Sequence, residues 1–188
     1  MAGISGADGK LSQAKREVTL GFARNMEVHM ILATPLAEKG FSLEKAFLDD
    51  FPAYMAVKKA CYQKYVDEYY GGWIDGVQFQ RNTDVFSRSI RQTCFQKIML
   101  NDRAVGFFGY DVLDDRIDGV SIQMLEEARN QGIGSFFLQQ IVQQSDRLKK
   151  PIFLKVFRSN PAQRLYQRVG FVIYDASSSH YFMRYDPD

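Results

Sequence analysis

A mixed α/β fold, with a mostly antiparallel sheet flanked by helices, is what this sequence predicts. Three observations carry that reading. Strand-like runs between Thr93 and Leu125 are separated by turn residues; a helix, a strand and a second helix follow from Gly132 to Gly170; two short strand-like runs close the chain. With 188 residues, 46% of them hydrophobic, there is enough apolar material for one core,. We place a flexible tail at residues 1–25 and a single domain at 26–188.

From Glu27 to Ala33 the run Val28, Met30, Ile31, Leu32 is compatible with a first strand, ended by Pro35 and Gly40,. Ser42 is a candidate helix cap, Glu44 suits the positive end of a helix dipole, and Leu43, Phe47 and Leu48 have helical spacing,. After Pro52, Met55, Val57, Tyr62, Tyr65, Val66 and Tyr69 fit a helix that stops at Gly71-Gly72,. Thr93 to Leu100 and Ala104 to Val112 read as strands around Asn101-Asp102, since both residues tolerate the left-handed backbone that hairpins require,. Asp114-Asp115 turns into a third strand, Val120 to Leu125, with Val120, Ile122 and Met124 alternating against Ser121 and Gln123. Gly132 opens a helix that ends before Pro151, and Ile152 to Phe157 is a short strand,. Asn160-Pro161 starts the next helix and Gly170 ends it,. Strands at Phe171 to Tyr174 and His180 to Tyr185 flank three serines.

A net charge of +2 gives no global field that would attract nucleic acid or an anionic membrane, so neither is an expected partner,. Charge is instead uneven along the chain. Every formal charge from Arg147 to Arg168 is positive, and Asp111, Asp114, Asp115, Asp118, Glu126 and Glu127 lie just upstream. Two cysteines, Cys61 and Cys94, do not make a disulfide framework and suit a reducing, cytoplasmic setting,. No stretch has the apolar core of a signal peptide or the roughly 20 apolar residues of a membrane span,. The two histidines and two cysteines offer no pair at metal spacing, so no metal is expected,.

Two segments carry chemistry. In Arg129-Asn130-Gln131-Gly132-Ile133-Gly134-Ser135, between a strand and a helix, glycines let backbone approach an anion and the helix start offers unpaired amides,. The segment lacks the third glycine of a dinucleotide fingerprint and the Gly-Lys-Ser/Thr of a P-loop,. About thirty residues on stands Asn160-Pro161-Ala162-Gln163-Arg164-Leu165-Tyr166, continuing to Gly170-Phe171,. Together they resemble the acetyl-coenzyme A signature of the GNAT superfamily of N-acetyltransferases, in its bacterial branch. Arg129, Gly132 and Gly134 match its loop; Asn160, Ala162, Leu165, Tyr166, Gly170 and Phe171 match its second segment, with one residue fewer before the alanine. Ile122 to Leu125, Val105-Gly106, Gly72-Trp73 and His180 to Met183 extend the likeness across Phe51 to Tyr185. Glu126 and Ala128 depart from the family, which often has Pro and Tyr there.

The resemblance implies a sheet splayed near its middle, with the pantetheine arm of acetyl-CoA between the strand Val120 to Leu125 and the strand Ile152 to Phe157. It implies amides of Met124 and Leu125 for the oxyanion and the pantetheine, the loop Arg129, Asn130, Gln131, Gly132, Ile133, Gly134 and Ser135 for the pyrophosphate, and Asn160 and Ala162 for the arm. Tyr166 would protonate the departing thiolate. For the base, Gln123 and Ser121 stand where relatives often carry a glutamate, so an ordered water chain is expected, with Glu68 and His180 as contributors. Tyr69 and Trp73 are expected to line the acceptor site; Trp73, after two glycines, is expected on a flexible loop. The expected partner is a small-molecule, peptide or protein amine. A homodimer would fit the family's habit, and a non-catalytic acyl-CoA-binding module is the alternative function.

Overall fold

The computed structural model describes residues 30–188. After a short helix α1 (Thr34–Ala37), β1 (Phe41–Lys45) leads through a 3-10 turn (Leu48–Asp50) into helices α2 (Phe51–Tyr70) and α3 (Asp75–Ser89). The strands β2 (Cys94–Leu100), β3 (Arg103–Val112) and β4 (Ile117–Met124) then form a meander. Helix α4 (Ile133–Leu148), β5 (Ile152–Phe157), α5 (Gln163–Arg168), β6 (Val172–Ala176) and β7 (His180–Tyr185) complete the chain. The seven strands form one sheet in the order β1-β2-β3-β4-β5-β7-β6.

The β2–β3 hairpin turns through Asn101 and Asp102, at φ 47° and 65°, so the left-handed tolerance read from the sequence is used. Beyond the meander the sheet changes character. β4 and β5 run parallel and share a single register pair, Ile117↔Ile152, next to the bond from Ile117 N to Pro151 O at 2.8 Å. No further ladder pair joins them, so the sheet opens between the remaining lengths of the two strands. Every other neighbouring strand pair is antiparallel.

Each face of the sheet is covered by helices. On one, α4 lays Ile133, Phe137, Leu138 and Ile141 against Phe108, Ile117, Ile152 and Leu154; the Phe137 and Phe108 rings stack at 3.9 Å. Truncating Phe137 to Ala there would cost about 3–5 kcal/mol in lost transfer energy and cavity. On the other face α2 and α3 bring Tyr54, Val57 and Phe86 onto Phe95 and Phe107. Gly106 lets β3 and β4 approach closely, since a Cβ there would stand 2.5 Å from the Gln123 carbonyl oxygen.

Three sequence expectations change. Residues 30–33 of the expected first strand are not in a strand, and residues 27–29 lie outside the described residues. Met30 is held instead by a side chain, its N–H donating to Gln96 Oε1 at 3.2 Å. Where Ser42 was read as opening a helix, Phe41–Lys45 pairs with β2: Phe41 and Leu43 turn inward while Ser42 and Glu44 stay exposed, a period of two that suits a ladder,. Helix α3 has no counterpart in the sequence reading. Its buried positions are Gln78, Asn82 and Phe86, and two amides on the inner face hide its period from a count of apolar residues.

Candidate acyl-transfer site

A cavity of about 690 Å³ opens beside the splayed strands, bordered by α2, β4, the start of α4 and the segment Asn160 to Arg168. Hydrogen bonding explains what β4 presents to it. Leu125 N donates to Val105 O at 2.8 Å, and the register pairs Gly106 with Met124. Successive residues of an antiparallel strand direct their backbone groups to opposite sides. The amides of Ile122 and Met124 therefore point away from β3, toward the gap that β5 leaves open. The Leu125 amide is already bonded and its carbonyl accepts from Ala128 N at 3.0 Å. Leu125 thus has no backbone donor for a thioester, contrary to the sequence expectation; of the two expected amides only that of Met124 faces the gap.

The Met124 carbonyl oxygen accepts from Cys61 Sγ at 3.3 Å and from Arg129 Nε at 2.8 Å. Both side chains line the cavity. Sequence reading gave Cys61 no role; its placement comes from the helical face of α2 that also carries Tyr62 and Tyr65. Burial pushes the Cys61 thiol up, partly offset by Arg129.

At the start of α4, Asn130 (φ 58°) and Gly132 (φ 93°) take left-handed backbone, and no side chain caps the helix. A sixteen-residue helix with open first-turn amides is a ready anion site,. Asn130, Gly132, Gly134 and Ser135 border the cavity, and Lys64, Arg164 and Arg168 add positive charge around it. Gln131 is exposed and accepts from Lys39 Nζ, while Ile133 is buried in the core, and neither is part of the cavity lining. Asn160 Oδ1 accepts from Ala162 N at 2.9 Å in the turn before α5, which begins at Gln163, two residues beyond Pro161, and carries no side-chain cap.

Tyr166 is buried in the cavity wall, where burial pushes its phenol up to about 12. The Tyr62 hydroxyl is raised too, by burial and then by Tyr166 nearby. Gln123 is 3% exposed; its Nε2 donates to Ser121 Oγ at 3.0 Å, and the buried Oε1 has no hydrogen-bond partner. Tyr54 lies beside Gln123, and burial pushes its phenol up, partly offset by that neighbour.

The other expected residues stand outside the cavity lining. Glu68 is exposed and accepts from Ser159 Oγ at 2.6 Å, a tether between α2 and the loop after β5. Tyr69 stacks on Phe157 with centroids 5.8 Å apart. Trp73 is fixed rather than loose: Asp67 accepts from its backbone N–H at 2.7 Å and Asp75 from its indole at 2.9 Å. His180 Nδ1 lies 2.8 Å from Ser179 Oγ, which lies 2.9 Å from the Tyr70 hydroxyl. Burial lowers the His180 pKa, and Lys155 and Arg81 lower it further, so the ring is neutral at neutral pH. Among the described residues no cluster of His, Cys, Asp and Glu could hold a metal, and no helix is long and apolar enough to cross a membrane.

A sheet opened between two parallel strands, with a glycine-rich helix start at its mouth, defines the architecture of an N-acetyltransferase. Solved structures share it. PaiA N-acetyltransferase from Thermoplasma acidophilum, in complex with coenzyme A, superposes with TM-score 0.60 at 13% identity, over 78% of this chain and 98% of that one. YncA of Salmonella typhimurium, with its cofactor acetyl-CoA, gives 0.53 at 16%, over 79% and 95%. The ribosomal-protein-S18-alanine N-acetyltransferase of Escherichia coli gives 0.53 at 17%, over 78% and 93%. Identities this low speak for the fold alone, and a search of curated proteins finds no match. The family itself comes from the sequence profile of the Acetyltransferase (GNAT) family, which matches residues 58–171, more than half of the chain. The chain belongs to the GNAT acetyltransferase family.

Proposed function

We propose that the protein transfers the acetyl group of acetyl-CoA to a primary amine by direct attack within a ternary complex. The observation that carries this reading is the open gap between β4 and β5, with Met124 N–H facing it and Tyr166 in the wall of the adjoining cavity. Coenzyme A and acetyl-CoA in the neighbouring structures support the choice of donor.

In this reading the pyrophosphate rests on the amides from Gln131 to Ser135, and Lys64, Arg164 and Arg168 neutralise phosphate charge,. Pantetheine adds to β4 through the amides of Ile122 and Met124, with Asn160 and Ala162 on its other side. The amine attacks the thioester carbon, a backbone amide steadies the oxyanion, and Tyr166 donates to the leaving sulfur. A phenol near 12 is a weak acid; against a thiol of about 8.5, transfer is uphill by roughly 3 to 4 units, so its main contribution is a hydrogen bond to the thiolate unless burial raises that sulfur as well. The amine's proton leaves through water toward neutral His180. Glu68, bound to Ser159, serves that path only at its edge. Tyr69 walls the acceptor side through Phe157, and Trp73 supports that wall from the α2–α3 connection.

Initial rates measured over a grid of amine and acetyl-CoA concentrations test the order of events. Intersecting double-reciprocal lines are expected; parallel lines, with acetyl-enzyme visible by mass spectrometry, would replace direct transfer by a covalent route.

A further inference from the structure

The acetyl-transfer reading leaves the acceptor undefined, and the charges on the α2 side of the opened sheet narrow it. Side chains two apart on a strand share a face, as do directly paired residues of neighbouring strands. Lys155 therefore shares the face of Phe157, and the pairing Phe157↔His180 adds His180 to it. The Phe157 ring lies 5.0 Å from Tyr65 and 4.1 Å from His180, which places this face beneath α2. On α2, Lys58 Nζ sits 4.5 Å from the Tyr62 ring, itself 6.1 Å from Phe157. Arg81 of α3 acts, with Lys155, on the charge of both Lys58 and His180.

Among the described residues no carboxylate lies within salt-bridge distance of Lys58, Arg81 or Lys155. The adjacent Lys59, by contrast, is paired to Asp75 at 2.8 Å. Behind the group, on the same face of β4 as Ser121, stands the unpartnered Oε1 of the buried Gln123.

A positive field of this kind has two consequences. It repels simple ammonium ions and polyamines, and it favours the neutral, nucleophilic form of an amine that does enter. The same field, after burial and against the opposing Cys61 sulfur, brings Lys58 down to about 8. An acceptor with its own negative charge is drawn in and offsets the cations. We propose that the acceptor is an amine carrying a carboxylate or phosphate close to its nitrogen, with the anion held by Arg81 and Lys155 and the amine turned toward the opened sheet. This rests on the acetyl-transfer reading.

The test compares matched acceptors by thiol release from acetyl-CoA, with kcat/KM corrected to free-base amine: β-alanine against β-alaninamide, phosphoethanolamine against ethanolamine, and putrescine as a dication. At least tenfold preference for an anionic member is expected, shrinking as salt screens the charges and falling toward unity in the double variant Arg81→Gln, Lys155→Gln. The carboxylate and phosphate pairs show which anion is preferred. Equal use of the amides, preference for putrescine, or an acid preference unchanged in the double variant would overturn the proposal. If no amine releases thiol, the transfer reading fails, and the anion site is then read by calorimetry with N-acetyl-β-alanine on the CoA-loaded protein. Binding weakened at least tenfold by the double variant supports the site, and no binding, or equal binding to both proteins, overturns it.

Discussion

The Cys61 thiol and the Met124 carbonyl oxygen meet at 3.3 Å, tying the middle of α2 to the end of β4 at the wall of the cavity. Because burial raises the thiol, little thiolate is present at neutral pH,. Iodoacetamide should therefore modify Cys61 slowly at pH 7 and faster as pH rises, and acetyl-CoA should slow the reaction. Mass spectrometry of the Cys61 peptide reads both effects. Labelling that ignores acetyl-CoA would remove Cys61 from the cofactor's wall.

Gly134 packs more tightly than its loop suggests, since a Cβ there would stand 3.0 Å from Leu165 Cδ2 and 3.6 Å from Met124 Cε. Gly134→Val drives a branched side chain between α4 and α5 and into the cavity. Acetyl-CoA affinity should fall at least about tenfold, about 1.4 kcal/mol, with a lower melting temperature. Gly134→Ala needs only a small shift of Leu165 and should bind within a few-fold of the parent. Calorimetric titration of both folded variants decides, and unchanged affinity in the valine variant would contradict the placement.

Tyr166→Phe removes the hydroxyl and leaves the ring that packs near Phe171, 5.9 Å away. Turnover should drop by roughly 10²-fold with nearly unchanged acetyl-CoA affinity, because the hydroxyl acts in the transition state. With its phenol near 12, Tyr166 should give no alkaline limb in the rate profile below about pH 11,. Equal turnover by the two proteins, where chemistry limits the rate, would argue against its role.

The fold was legible wherever the local signal and the tertiary outcome agree. β5 and β7 run over the residues read for them, because their apolar runs are bounded by Pro151 and by the serine loop. Gly132 was legible as the opening of α4 because the left-handed backbone there favours glycine,, whereas α5 begins two residues beyond the Pro161 that the sequence suggested. The inner face of α3 was not legible, because two of its buried positions are the amides Gln78 and Asn82, Asn82 Nδ2 donating to the Gln78 carbonyl at 2.8 Å. At the site, the loop and Tyr166 carry sequence patterns. Cys61, Lys58 and Arg81 carry none, and they reach their places only because α2 and α3 pack across the opened sheet. Leu125 shows the converse: its position in a motif said nothing of a hydrogen bond already made to Val105.

His180 offers a pH test. Burial, then Lys155 and Arg81, disfavour its protonated form, so its folded pKa lies below the ordinary value of about 6.5,. Removing a neighbouring positive charge should raise it. In Lys155→Gln the His180 ring titration, followed by NMR, should move up toward 6.5, and the acid limb of kcat/KM should move with it. A titration that moves while the acid limb stays fixed would show that His180 takes no proton in the reaction.

Thiol release from acetyl-CoA, measured with and without a panel of primary amines, tests the central claim most directly. The account predicts release that depends on the amine, saturates with both substrates and yields one acetylated amine per thiol. Tight acetyl-CoA binding with no amine-dependent release from any member of the panel would contradict it and leave an acyl-CoA-binding module in its place.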